Sequence, residues 1–308
     1  MKRRALAAAT ALALTSCAPR SAYEQTYLPA SSNWAFRQRF PRADHLFNAF
    51  DYGHATVYET LITQRDAPRR LENGDFDFIT RQVLRHPPRV PLEESAIGPR
   101  YVTLIPEIAE MFEWAHVLHR QIYDVWAQYG RSDAERDAAV ARLVAHYRTR
   151  SDLAFSIRPK SMALMEGQPY SLAFRKQDPK FNGLLWSYHW LQMSLYDALL
   201  RGGSVLETNA RVDSTVGVFF SMLDDAPTRM PEMMPMASDA APLFSARYPD
   251  AANIFDNLHS LHDVVSDILV SPVVPPSEKR RAILAAAATY RDDTTAVMSA
   301  AHDHRRPE

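Results

Sequence analysis

Acidic and histidine side chains recur in this chain at a helical spacing. Three segments share a phenylalanine, a following acid and a histidine three residues after the acid: Phe50-Asp51-Tyr52-Gly53-His54, Phe112-Glu113-Trp114-Ala115-His116 and Phe255-Asp256-Asn257-Leu258-His259. The composition predicts only about 0.06 such matches by chance, so chance does not explain the repeat. An acid and a histidine three residues apart project from the same side of a helix. In four-helix bundles, such pairs from different helices converge on metal ions.

A fourth segment, Leu185-Trp186-Ser187-Tyr188-His189, has the same shape without the acid. Aligning its histidine with His116 and His259 extends the repeat along each helix. The residues three positions after the aligned histidines are His119, Gln192 and His262. The residues seven positions after them are Tyr123, Tyr196 and Ser266, which should also face inward. Eight residues on stand three acids that turn toward the helix flank, where we expect them to tie neighbouring helices or loops: Asp124, Asp197 and Asp267.

The repeat predicts a buried metal centre. The expected ligands are three acid and histidine pairs and one further histidine: Asp51, His54, Glu113, His116, Asp256, His259 and His189. Four more residues are candidates for ligands or for hydrogen-bond partners of ligands: Glu59, His119, His262 and Asp263. Tyr123, Tyr196 and Gln192 would orient an oxygen species bound at the centre. Imidazoles and carboxylates without a thiolate suit iron, manganese or zinc, and the acids disfavour copper.

Two other interpretations stay open. A polar core network, in which each acid accepts a hydrogen bond from a histidine, would satisfy the same residues without a metal. Bis-histidine haem binding is less favoured, and the lack of a Cys-x-x-Cys-His motif excludes covalent c-type attachment.

The pair Glu113-x-x-His116 matches the Glu-x-x-His pair of di-metal bundle proteins, and Asp51 and Asp256 give shorter-armed versions of it. On these motifs the chain resembles ferritin-like and haem-oxygenase-like di-metal carboxylate proteins. The resemblance covers four helices at motif level. It implies two iron ions, with manganese or zinc as alternatives, and an oxidoreductase that reacts with dioxygen or peroxide. His189 departs from the pattern, because those families usually have a glutamate there.

The N-terminus carries an export signal. Lys2-Arg3-Arg4 precedes a short apolar run, and Leu14-Thr15-Ser16-Cys17 resembles the site at which bacterial lipoproteins are cleaved and lipidated. An ordinary cleaved signal with an incidental cysteine is the alternative. Ala18 after the cysteine resembles lipoproteins of the outer membrane. We therefore expect a periplasmic protein that is anchored to the membrane by a lipid on Cys17.

Composition narrows the function classes. Acids and bases nearly balance at a net charge of -1, which does not indicate a nucleic-acid partner. We find neither a dinucleotide fingerprint nor a P-loop. The single cysteine excludes an intramolecular disulfide and a thiolate metal site.

The periodicity predicts an all-α fold, a bundle of six to eight helices with a four-helix core and long proline-rich loops. The expected divisions are a signal peptide at 1–16, an anchor and tether at 17–42, one helical domain at 43–301 and a disordered tail at 302–308. A methionine-rich loop or lid is expected at 224–250.

Three functions fit these features. The first is an extracytoplasmic metalloenzyme, the second a metal-binding lipoprotein without turnover, and the third a structural accessory subunit with a protein partner in the envelope. No residue pattern names a small-molecule substrate.

Overall fold

The computed structural model describes residues 26–63, 68–224 and 234–298. Within these ranges the chain forms fifteen α-helices, and its only β pairing is an isolated bridge between Lys160 and Val297. The all-α prediction is therefore confirmed. The predicted signal peptide, Cys17 and the predicted tail lie outside the described residues. None of the described helices combines the length and the apolar character needed to cross a membrane.

Eight of the helices are long, and they fall into four consecutive pairs. The first of each pair is a core helix: α2 (Pro41–Thr63), α6 (Pro106–Ala127), α10 (Pro179–Leu200) and α14 (Pro249–Val270). The second packs outside it: α3 (Pro68–Phe78), α7 (Asp133–Tyr147), α11 (Val205–Leu223) and α15 (Pro276–Arg291). A π-helical turn, Ile79–Val83, continues α3. The remaining helices are short: α1 (Ala35–Arg39), α4 (Glu94–Ile97), α5 (Pro99–Leu104), α8 (Ala163–Glu166), α9 (Ala173–Gln177), α12 (Ala237–Ala240) and α13 (Pro242–Arg247).

Each core helix is preceded by a short helix and a single junction residue, which gives four repeated units: α1–α2, α5–α6, α9–α10 and α13–α14. The junction residues share one non-helical conformation, with φ between -139 and -126 and ψ between 54 and 63: Phe40, Ile105, Asp178 and Tyr248. A residue that precedes proline avoids the α region, so the short helix ends there. The proline then opens the core helix, where its missing N–H is not needed.

An acid near the end of each core helix ties the units together in pairs. The Asp124 carboxylate of the second unit accepts hydrogen bonds from the N–H groups of Trp34 and Phe36, at 2.9 and 2.8 Å, where α1 begins. The Glu59 carboxylate of the first unit accepts hydrogen bonds from Arg100 and Tyr101, at 2.9 and 3.1 Å, where α5 begins. The first two units therefore cap each other's short helices.

The third and fourth units repeat this exchange. Asp197 accepts hydrogen bonds from the N–H groups of Leu243 and Phe244, at 3.2 and 3.0 Å, at the start of α13. Asp267 accepts them from Leu172 and Phe174, at 3.0 and 2.8 Å, at the start of α9. The prediction that Asp124, Asp197 and Asp267 tie neighbouring elements is confirmed.

The packed chain begins earlier than the predicted domain. Phe36 and Phe40 are 3% and 6% exposed, so part of the tether predicted at 17–42 already belongs to the packed domain. The last helix ends at Arg291, where the Asp292 carboxylate accepts hydrogen bonds from Thr294 and Thr295 in a turn. Within the predicted 224–250 loop, the described residues form α12 and α13.

Candidate metal centre

Eight polar side chains meet where the four core helices pack. Counted from the proline of each core helix, position 10 is Asp51, His116, His189 or His259, and position 13 is His54, His119, Gln192 or His262. All eight are at most 4% exposed. Side chains three positions apart on a helix lie near one face, so both positions point to the bundle interior.

This register corrects the sequence alignment of the first unit. Asp51 occupies the position of the histidines of the other units, and His54 occupies the position of His119 and His262. The pentapeptide that ends at His54 therefore matches the others three residues out of register. A helix brings nearly the same face around after three residues, which allowed the slip.

His54, His189 and His262 form the tightest histidine group, here called the first ligand group. Each comes from a different core helix, and one potential ligand atom from each lies within 4.8 Å of the others. The ring centroid of His189 lies 5.6 Å from that of His54 and 5.2 Å from that of His262. The centroids of His54 and His262 are 4.0 Å apart, so one of these two rings has to turn for both to bind the same ion. The Nε2 atom of His189 lies 3.1 Å from the Nδ1 atom of His262. Two nitrogens bound tetrahedrally to one ion are about 3.4 Å apart, so this pair already has a suitable separation.

Many polar atoms of the core have no hydrogen-bond partner among the described residues. They include both ring nitrogens of His54 and of His259, and both side-chain amide atoms of Gln192. They also include the Nε2 atoms of His116, His119 and His262. Buried polar groups in proteins are normally paired. Unpaired imidazole nitrogens directed into a common core are the donors that a metal ion requires.

Burial keeps these imidazoles neutral. Loss of hydration lowers the pKa of His54 to about 3, with a further contribution from the charge of His259. Burial alone lowers the pKa of His259 to about 3. The pKa values of the other four core histidines are also lowered, in each case mainly by burial, at His116, His119, His189 and His262. Neutral imidazole is the form that binds metals.

Besides His262, three core histidines have a polar neighbour at the Nδ1 atom. Nδ1 of His119 lies 2.7 Å from the hydroxyl of Tyr196, and Nδ1 of His116 lies 3.4 Å from a carboxylate oxygen of Asp51. Nδ1 of His189 lies 2.9 Å from the sulfur of Met234, in the segment where a lid was predicted. Such contacts fix the orientation of metal-binding imidazoles.

Four of the carboxylates predicted as ligands or as partners of ligands have at least one oxygen engaged by another group. Asp51 forms a buried ion pair with Arg120 at 2.8 Å, and Asp263 pairs with Arg175. Asp256 accepts a hydrogen bond from the Ala237 N–H at 2.7 Å, where α12 begins. Glu59, as described above, caps α5.

Glu113 is half-buried and is not a member of the first ligand group. Its position on α6 lies about 60° around the helix from His116, toward the bundle edge. Burial raises the pKa of Glu113 to about 7, with further contributions from the charges of Glu93, Asp51 and Glu110.

The buried tyrosines at position 17 connect core helices. The hydroxyls of Tyr58 and Tyr196 donate to the carbonyl oxygens of His262 and His119, both at 3.1 Å. Tyr123 donates to the carbonyl oxygen of Gln192. Ser266 replaces the tyrosine in the fourth unit. The sequence alignment missed Tyr58, although its offset from Pro41 equals the offset of Tyr123 from Pro106.

Sequence reasoning also missed the buried cations Arg120 and Arg175. Arg120 follows His119 directly on a helix whose neighbouring residues are all buried, and that placement could have identified it. Arg175 lies in a five-residue helix that periodicity does not reveal.

Comparison of the chain with protein-family models, curated proteins and solved structures finds no match.

Proposed function

We propose that this chain binds a transition-metal ion in the core of its helical bundle, through His54, His189 and His262. The observation that carries the proposal is the convergence of their ligand atoms within 4.8 Å at a fully buried point. Imidazole nitrogens, with the thioether of Met234 next to His189, suit zinc or copper. The sequence favoured iron because of the carboxylates, but Asp51, Asp256 and Glu59 have other partners.

A purely structural polar network fits the core less well. Seven ring nitrogens of the core histidines have no hydrogen-bond partner among the described residues. Each buried polar atom left unpaired costs about 1–3 kcal/mol, so a network without a ligand would carry a large penalty. Haem does not fit between His54 and His262. The rings of His54 and His262 are 4.0 Å apart between centroids, which leaves no space for a macrocycle between them.

An oxidoreductase that reacts with dioxygen or peroxide is the second candidate. One observation favours it over simple metal binding: the buried hydroxyl of Tyr196 lies 2.7 Å from Nδ1 of His119, inside the histidine core. A hydroxyl and an imidazole in contact can pass a proton to an oxygen species. Peroxide consumption by copper- or iron-loaded protein, compared with a Tyr196→Phe variant, tests this candidate, because zinc has no redox chemistry. Equal rates in the two proteins would show that Tyr196 takes no part in the reaction. If neither protein consumed peroxide, the oxidoreductase function would be rejected.

We also propose that the protein is anchored to the bacterial envelope through Cys17. The support is the sequence signal alone. Expression of the wild-type chain and of a Cys17→Ser variant, followed by membrane fractionation and mass measurement of the N-terminal peptide, tests it. A lipid adduct on Cys17 is expected, and an unmodified cysteine in the mature protein would contradict anchoring.

Metal content tests the central proposal. Protein expressed with iron, manganese, zinc and copper available should contain at least one equivalent of metal by mass spectrometry. A His54→Ala/His262→Ala variant should lose one equivalent. The matched control is His45→Ala/His86→Ala, which removes two histidines outside the core and should retain the metal. A metal content of the wild-type protein no higher than the background would reject the proposal.

A further inference from the structure

The repeated units place equivalent side chains on two sides of the histidine core. Tyr58 of α2 donates to the carbonyl oxygen of His262 of α14, and Tyr196 of α10 donates to that of His119 of α6. The two hydrogen bonds have the same length, 3.1 Å. If α2 is exchanged with α10, and α14 with α6, His262 therefore corresponds to His119.

The aromatic walls of the core follow the same exchange. The ring of Phe112, at position 6 of α6, contacts His262 at 3.9 Å between centroids. The ring of Phe255, at position 6 of α14, contacts His119 at 3.7 Å. His119 thus has the surroundings of His262 in two independent respects, a carbonyl contact and a ring contact.

Applied to the rest of the core, the exchange generates a second set of side chains. Gln192 is the counterpart of His54, and His259 is the counterpart of His116. Asp51 is the counterpart of His189, but its carboxylate is paired with Arg120. The exchange therefore maps the first ligand group onto His119, Gln192 and Asp51. His116 is not in the first ligand group, so its counterpart His259 is not required by the exchange. Because Asp51 is paired, we take His259 as the third member, since both of its ring nitrogens have no hydrogen-bond partner among the described residues.

We infer that His119, His259 and Gln192 form a second ligand group, which binds a second transition-metal ion. The three side chains are at most 1% exposed, and five of their polar atoms have no partner among the described residues. The ring centroids of His119 and His259 are 6.1 Å apart. Two imidazoles on one ion have centroids about 5–6 Å apart, given metal–nitrogen bonds of about 2.1 Å.

The contacts of His119 leave its Nε2 atom for the metal. Its Nδ1 atom is held by the Tyr196 hydroxyl at 2.7 Å, whereas Nε2 has no hydrogen-bond partner among the described residues. A fixed Nδ1 and an open Nε2 are the usual arrangement of a metal-binding histidine.

The two groups adjoin and differ in chemistry. His259 stacks on His189 of the first ligand group at 4.1 Å between centroids. The first group offers three imidazoles, whereas the second offers two imidazoles and an amide oxygen, a harder donor. The second group should therefore prefer copper less strongly than the first group does. The inference rests on the proposed metal centre, which it extends from one ion to two.

A zinc titration of the purified metal-free protein, measured by calorimetry and mass spectrometry, tests the inference. We expect two equivalents of Zn²⁺ for the wild-type protein and one for each of three variants: His54→Ala, His119→Ala and Gln192→Leu. The control His86→Ala changes an exposed histidine and should retain two.

Gln192→Leu separates loss of a ligand from loss of folding. Leucine has nearly the volume of glutamine and removes two unpaired polar atoms from the core. The metal-free variant should therefore melt at or above the wild-type temperature while it loses one zinc equivalent.

The outcomes distinguish the two proposals. One equivalent in the wild-type protein, unchanged in His119→Ala and Gln192→Leu, would overturn the second group and leave the first intact. Two equivalents retained by both of these variants would also overturn it. No zinc bound by the wild-type protein would overturn both proposals.

Discussion

The Nε2 atom of His189 faces the Nδ1 atom of His262 at 3.1 Å, in a core that is buried from bulk solvent. Two neutral imidazoles at this distance either share one hydrogen bond or bind one ion. Both ring nitrogens of the adjacent His54 have no partner among the described residues, which favours the second arrangement. Metal binding at this point connects three core helices and should change the stability of the whole bundle.

Zinc should therefore raise the melting temperature of the metal-free protein. A ligand present at 1,000 times its dissociation constant stabilises the native state by about 4 kcal/mol, or roughly 8 °C for a domain of this size. The rise should be smaller in His262→Ala, which loses only the first ligand group, and should be reversed by a chelator in the wild-type protein. An equal rise in His262→Ala would place the zinc elsewhere.

The zinc affinity of the first ligand group should be nearly independent of pH between 5.5 and 7.5. The pKa of His54 is lowered to about 3, so its imidazole is already neutral throughout this range and no proton has to leave when the metal binds. We expect a change below about threefold, whereas each ligand with the ordinary histidine pKa would weaken binding up to tenfold per pH unit below about 6.5. Calorimetry at three pH values measures the difference. A steep loss of affinity toward pH 5.5 would show that the ligands are hydrated in the native protein.

Removal of Arg120 should destabilise the fold more than removal of the whole ion pair. Arg120 and Asp51 are about 4% exposed, and their charged groups are 2.8 Å apart. Arg120→Met leaves the Asp51 charge buried, which should cost about 3–5 kcal/mol. The double variant Arg120→Met/Asp51→Leu should recover most of this loss. Urea unfolding of the single and double variants measures it, and a double variant no more stable than Arg120→Met would contradict the expectation.

The exchange of caps between units predicts a specific cost at Asp124. Asp124→Ala leaves the N–H groups of Trp34 and Phe36 without their acceptor and should reduce the free energy of unfolding by about 2–3 kcal/mol. The control Asp152→Ala removes a carboxylate that pairs with the neighbouring Arg150 at the surface. It should change stability by less than about 0.5 kcal/mol. Similar losses in the two variants would contradict the assigned role of Asp124.

Much of the fold could be predicted from the sequence because the relevant signals are local. Helical periodicity and prolines such as Pro106 set the core helices, and the flank position of Asp124 in the repeat predicted its contact with another element. The register of the first unit required a longer-range signal, the distance from Pro41. A short acid and histidine motif fits a helix equally well after a three-residue shift.

The ligand set could not be predicted to the same extent. The spacing of Asp256 and His259 shows that both lie near one side of a helix, but not which neighbour each meets. The partner of Asp256 is a backbone N–H at Ala237, and the partner of Asp263 is Arg175, 88 residues away. Such partners depend on tertiary packing. The sequence therefore indicated which helices line the core, and the packing decided which donors remain available there.

The most direct test of the proposed centre is the position of the metal in a crystal of zinc-loaded protein. An anomalous difference map collected at the zinc absorption edge should show a peak bounded by His54, His189 and His262. Data collected just below the edge should lose that peak. A map with no peak in the histidine core, or with peaks only beside surface residues such as His86, would contradict the central claim.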